Sequence, residues 1–226
     1  MVQAMSKAYT ETEFSAQITE DRTWRLKEIS DLKSAVLKAD SDLRRVLLRS
    51  LITICYAHWE GYVRFAARKY LEHIALRKIQ YKELDRQFLR NYFLPRLQAL
   101  SMAKTDLAQR CVLIDEILDS SGKSFSRFNE SLVNTKANLN FSTFSEICLV
   151  CCVPSASFAA NESFVDVFLL KRRNSVAHGE DTFIDVDDLD SLTEGTILLM
   201  RAFGDALENH VVLKMYRTAP ALLARA

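Results

Sequence analysis

The sequence predicts an all-α protein, an antiparallel helical bundle built around a long central helix. Glycine (5) and proline (3) are scarce among 226 residues, whereas a β-rich chain of this length needs many turn residues. Apolar residues also recur at steps of three and four over long stretches, the period of an amphipathic helix. Hydrophobic residues make up 49% of the chain, enough for a buried core. That fits one large domain or two small ones.

A first helix is expected over 12–38, where Ile18, Leu26, Ile29, Leu32 and Val36 recur between charges. A break follows, with Asp40 or Ser41 as N-cap. Residues 42–79 form the longest periodic segment. Its centre, LITICYAHWEGYVRFAA, is apolar nearly all round, as befits the middle of a bundle. Ala57 and Gly61 share a face there and leave room for another helix. A shorter helix over 80–101 should break or restart at Pro95. Helix is expected again over 105–118, then a polar loop over 119–140 containing SSGK and NTKANLN. Ser142 is expected to cap a short helix that Pro154 ends. Residues 162–178 form the penultimate helix, with Ser163-x-x-Asp166 as start signal and Gly179 just past its end. The last helix spans about 187–215.

A net charge of +1 gives no global field for nucleic acid, so any such binding needs a local patch. No apolar run is long enough for a membrane span, and MVQAMSKAYTETEF lacks a signal-peptide core. Cys55, Cys111, Cys148, Cys151 and Cys152 are an odd set, three of them in an apolar run. They read as reduced, buried thiols of a cytoplasmic protein. Cys148 and Cys151 have C-x-x-C spacing but no second Cys/His pair to complete a zinc site. Asp185, Asp187, Asp188 and Asp190 lack the glycine and terminal glutamate of a calcium loop and suit a helix N-terminus. No metal and no cofactor is expected.

The chemistry concentrates in KRRNSVAHGED, residues 171–181. On an ideal helix Arg173 and His178 lie about 140° apart, while Asn174 and His178 share a face. The end of the helix dipole, with Glu180 and Asp181, favours imidazolium at His178. A histidine suits general acid–base work, and Arg173, with Arg172 and Lys171 beside it, offers donors to a phosphate. A cation and a histidine without an acidic metal cage suit metal-independent RNA cleavage by the 2′-OH. The structural alternative is an ordinary polar helix end, because Lys, Arg, His and then Gly are routine there.

Arg173, Asn174 and His178, followed by Gly179 on the penultimate helix, match R-N-x-x-x-H and resemble the hallmark of the HEPN superfamily. YAHWEGYVRFAARKYLE (56–72) is similar to the H-W-E-G helix of a branch of small bacterial stand-alone HEPN proteins, and NLNF (138–141) fits that branch. The resemblance covers about 40–212 and implies a single helical domain over 1–226 with its core there. It implies a helical bundle that dimerises so that two motif helices form a composite cleft. It further implies an endoribonuclease with Arg173, Asn174 and His178 as catalytic residues. Such proteins act on RNA as toxins or in antiphage defence, with a cognate antitoxin or defence-system partner. The alternative it carries is a non-catalytic module that binds a nucleotide or a partner protein.

Four further features need a place. Glu60, a carboxylate in the most apolar helix, must be paired. Arg64 is the local partner, and the motif helix the functional one. His58 is either a core histidine or a supporting site residue, and Trp59 a packing residue or a base-stacking one. Arg44, Arg45 and Arg49 read as a solvated stripe.

Overall fold

The computed structural model describes residues 7–102 and 107–218. Helix α1 spans Glu11–Lys38 and α2 Ser41–Leu76. The third, α3, spans Arg86–Met102, α4 Leu107–Leu118 and α5 Phe141–Val150. The motif helix has a π-helical stretch, Phe164–Lys171, that passes into α6, Arg172–Ala177. Helix α7 spans Asp188–Val212. The described residues form no strand, only isolated bridges, so the architecture is an all-α bundle. No described helix is long and apolar enough to cross a membrane.

Each boundary has a local cause. Thr10 starts α1 with a reciprocal capping box to Glu13, a pattern worth about 1 kcal/mol. Asp40 caps α2 by accepting the Leu43 N–H at 3.0 Å. Helix α2 is central: it packs against α1, α6 and α7 and buries Trp59, Tyr62 and Tyr70 completely. Gly204 of α7 admits the Tyr62 hydroxyl, which would collide with a Cβ there. At Gly61 the close neighbour is the Arg25 guanidinium of α1, so that glycine accommodates a side chain rather than a helix backbone.

Four expected boundaries differ. The helix expected from 80 begins only at Arg86, because Gln80 and Leu84 are drawn into bridges with Ser124 and Arg217 around a tight turn at Tyr81–Glu83. Pro95 lies inside α3 and does not end it. The first half of that helix is anchored by buried Phe88 and Phe93, and by Asn91, which accepts from Gln87 at 2.9 Å and donates to the Val150 carbonyl at 2.8 Å. Tertiary anchoring outweighs the lost N–H. Asn140, not Ser142, caps α5 by accepting the Thr143 N–H at 2.8 Å. Ser163 is already helical and makes no cap. Its expected partner Asp166 instead accepts the Phe141 N–H at 2.6 Å and so ties the motif helix to α5. The expected start of α4 at 105 lies outside the described residues.

Candidate active site

The end of the motif helix is closed by its own backbone. Glu180 donates to the Ser175 carbonyl at 3.0 Å and Gly179 to Val176 at 3.1 Å. With Gly179 at φ 76°, this is a Schellman closure, which only glycine adopts at no steric cost. Arg49 of α2 secures the segment beyond, donating to the carbonyls of Glu180 (2.9 Å) and Thr182 (3.3 Å). Arg45 pairs with Asp181, and Arg44 donates to Ala39 at 2.7 Å. Arg45 and Asp181 form an exposed pair, as the solvated-face reading expects, and Arg49 is the member of the stripe that holds the backbone leaving His178.

Arg173 is held from four directions. Its Nη1 donates to Asn174 Oδ1 at 2.8 Å and its Nη2 to the Ala137 carbonyl at 3.4 Å. Glu60 Oε2 is 3.8 Å from Nη2, with the two side chains 18% and 20% exposed. At that separation opposite charges attract by about 4 kcal/mol at an effective dielectric of about 20, before desolvation is subtracted. The guanidinium also lies over the Tyr56 ring, 4.0 Å from its centroid, a cation–π placement. Of five guanidinium donors, enough stay unspent to meet an incoming phosphate.

Glu60 is itself positioned: its Oε1 accepts the Thr135 hydroxyl at 2.6 Å. Its partner is thus the motif helix and the 119–140 loop, not Arg64. Tyr56 is almost fully buried and its hydroxyl accepts the Leu139 N–H at 2.6 Å. Burial pushes the Tyr56 phenol up, reinforced by Glu60 and opposed by the Leu139 N–H and Arg173. The loop turns tightly beside these groups. Lys136 and Ala137 both have left-handed backbone, at φ 52° and 62°, a strained choice for non-glycine residues. Asn134 Oδ1 accepts the Lys136 N–H at 2.8 Å and supports the turn.

The other candidates separate. His178 is exposed at the helix end. Lys171 is exposed. Arg172 turns away from Arg173, donating to Asp188 at 2.6 Å and covering the Phe168 ring at 4.0 Å. It joins the motif helix to the start of α7. His58 also lies elsewhere. It is buried against α1, with Nε2 2.8 Å from Glu28 and its ring edge-on to Trp24. Two residues along an α-helix is a turn of about 200°, so His58 and the Tyr56–Glu60 pair leave α2 on opposite sides. Burial pushes its imidazole down, against the opposing pull of Glu28. Trp59 is buried against Phe144, ring centroids 5.1 Å apart, and packs rather than lining a surface.

The metal alternatives find no cluster. Asp188 pairs with Arg172 and Asp190 with Lys33 (2.6 Å), and among the described residues no group of three or more His, Cys, Asp or Glu is placed to hold an ion. Cys55 and Cys148 are buried, which pushes their thiols up to about 12, and Cys151 is buried too, but the expectation of buried thiols fails at Cys111, which is exposed on α4.

Sequence reasoning missed Tyr56 and Thr135. The only local signal for Thr135 was its place in a turn-rich segment, and for Tyr56 its spacing of four from Glu60.

Comparison with curated proteins and with solved structures finds no match. A family model described as RiboL-PSP-HEPN matches residues 20–209, which takes in α2, the loop, the motif helix and most of α7. The chain belongs to this HEPN-type family.

Proposed function

We propose that the chain is a metal-independent endoribonuclease of HEPN type that acts as a cytoplasmic homodimer, in the role of a toxin or antiphage-defence effector. The observation that carries this reading is the built surroundings of Arg173. A guanidinium seated on a buried tyrosine, faced by Glu60 and bonded to Asn174 is pre-organised for an anion, and His178 stands exposed at the end of the same short helix.

In the reaction, His178 takes the proton of a ribose 2′-OH. The 2′-oxygen attacks the adjacent phosphorus, the P–O5′ bond breaks, and the leaving 5′-oxygen is protonated by imidazolium or water. Products carry a 2′,3′-cyclic phosphate and a 5′-OH. Arg173 neutralises charge on the non-bridging oxygens as it builds in the transition state. Asn174 and Glu60 fix the plane of the guanidinium. A composite cleft from two copies supplies two histidines, one for each proton transfer.

The test is incubation of the purified chain with RNA in EDTA, with analysis of the new ends. Cleavage with cyclic-phosphate ends, lost in His178→Ala and Arg173→Ala, is expected. Intact RNA with the wild type, or equal cleavage by His178→Ala, overturns the proposal. Binding of RNA or nucleotide without turnover would establish the non-catalytic module instead. Expression that arrests growth in a His178-dependent manner is expected for the toxin role.

A further inference from the structure

Next to the Arg173 site, α2 presents a basic groove that the proposed chemistry does not use. Ala57 and Gly61 form its floor, the latter covered by the Arg25 guanidinium, and Phe65 and Phe128 contribute rings to its lining. Arg64 and Arg68 follow Glu60 at successive steps of four, so they leave the helix about 6 and 12 Å beyond it. Arg25, Arg64, Arg68 and Lys69 line the groove against Glu72 and Glu130, four cations to two carboxylates, in a chain whose net charge is only +1.

The cations are not equally engaged. Arg25 is bound by Asp21 at 2.7 Å and Lys69 by Glu72 at 3.1 Å. Arg68 reaches Glu130 through Nη1 at 3.3 Å, but its Nε is buried with no hydrogen-bond partner among the described residues. Arg64 is exposed and has no carboxylate within ion-pair distance among the described residues. An unspent guanidinium, a second one held by a single 3.3 Å ion pair and two aromatic rings are what a single nucleic-acid strand requires: charge along its backbone and faces for its bases.

We propose that this groove on α2 binds single-stranded RNA on one side of the scissile phosphate, Arg64 and Arg68 taking its phosphodiesters and Phe65 and Phe128 facing its bases. The proposal rests on the ribonuclease reading. It adds the direction in which the substrate runs, from Arg173 past Glu60 and along α2 toward its C-terminus.

The probe is a fluorescently labelled 2′-O-methyl RNA, which lacks the attacking hydroxyl and stays intact. Its affinity is measured by anisotropy at several salt concentrations for the full chain and for Arg64→Ala/Arg68→Ala. The double variant should bind about tenfold more weakly, and its slope of log affinity against log salt should be shallower by about 1.4, two phosphate contacts at about 0.7 each. Arg64→Glu, a single change at an exposed position, should weaken binding further and guards against a folding defect in the double variant. Unchanged affinity and slope in both variants overturn the groove. So does displacement of the RNA by polyglutamate as readily as by unlabelled RNA. If the wild type cleaves RNA while the groove variants bind and cleave as it does, the groove falls and the active site stands. A wild type that neither binds nor cleaves RNA removes both.

Discussion

Arg173 is long enough to reach many partners, and the residues around it restrict that freedom. Asn174 fixes one edge of the guanidinium, Tyr56 its face and Glu60 its charge. Glu60→Gln keeps an acceptor for Thr135 but removes the charge facing Arg173. RNA cleavage should fall about tenfold, the scale of one charge-assisted contact, and Glu60→Asp should restore part of it. Equal cleavage by Glu60→Gln would show that Glu60 does not orient the arginine. Tyr56→Phe separates two roles, since the ring stays beneath Arg173 while the buried Leu139 N–H loses its acceptor. The expected result is a loss of about 1–3 kcal/mol in urea denaturation, with a smaller effect on cleavage than Arg173→Ala. These residues also mark how far the sequence is legible. Arg173, Asn174 and His178 are visible because a polar, glycine-ended turn follows an apolar run. Glu60 stands out as a charge in an apolar helix. Tyr56 and Thr135 carry no such mark, because Tyr56 is one aromatic in an apolar stripe and Thr135 one polar residue in a loop. Their partners lie 83 and 75 positions away, so only the folded loop brings them together.

Among the elements, the motif helix departs furthest from what periodicity could foresee. Its π-helical stretch, Phe164–Lys171, closes i to i+5 and shifts the phase of everything after it relative to an α-helix. Counting by 100° from the buried Val165 and Leu169 therefore misplaces Arg172 and Arg173, and apolar spacing cannot reveal this, since the same residues satisfy either count roughly. Gly195 of α7 is a check on how this stretch is seated. A Cβ there would lie 2.5 Å from the Phe164 ring, which is also stacked on Phe168 at 5.4 Å. Gly195→Ala should cost about 1–3 kcal/mol by overpacking, read as a lowered urea midpoint. An unchanged midpoint would mean the ring moves freely. The cap of α5 ends the loop that carries Thr135, Ala137 and Leu139. Asn140→Ala should cost about 1 kcal/mol, and cleavage should fall with it, because the loop that places Thr135 against Glu60 is loosened at its root.

At the scale of the whole molecule, burial of histidine couples the fold to pH. His58, His73 and His210 are all buried. Each imidazole is pushed down chiefly by that burial. The opposing pulls are Glu28 on His58, the Ala8 carbonyl on His73 and Asp85 on His210. The unfolded chain titrates its histidines near about 6.5. As the pH falls through that value the unfolded state takes up protons that the folded state refuses, so the equilibrium shifts toward unfolding. The stability these three sites confer is complete above the unfolded value and is lost on the way down to the folded ones. Carboxylates act in a different window. Glu13, held down first by the Thr10 backbone, and Glu116, held down first by Arg96, lie below their ordinary 4.5, and their contribution fades only under more acid conditions. Urea denaturation at pH 7.5 and 5.5 separates the two. The midpoint should be lower at pH 5.5, and the difference should shrink in His210→Gln, whose ring lies against Tyr70 in the core with centroids 6.3 Å apart. A midpoint that holds or rises at pH 5.5 would mean that the nearby acids overcome burial and that the folded protein binds these protons after all.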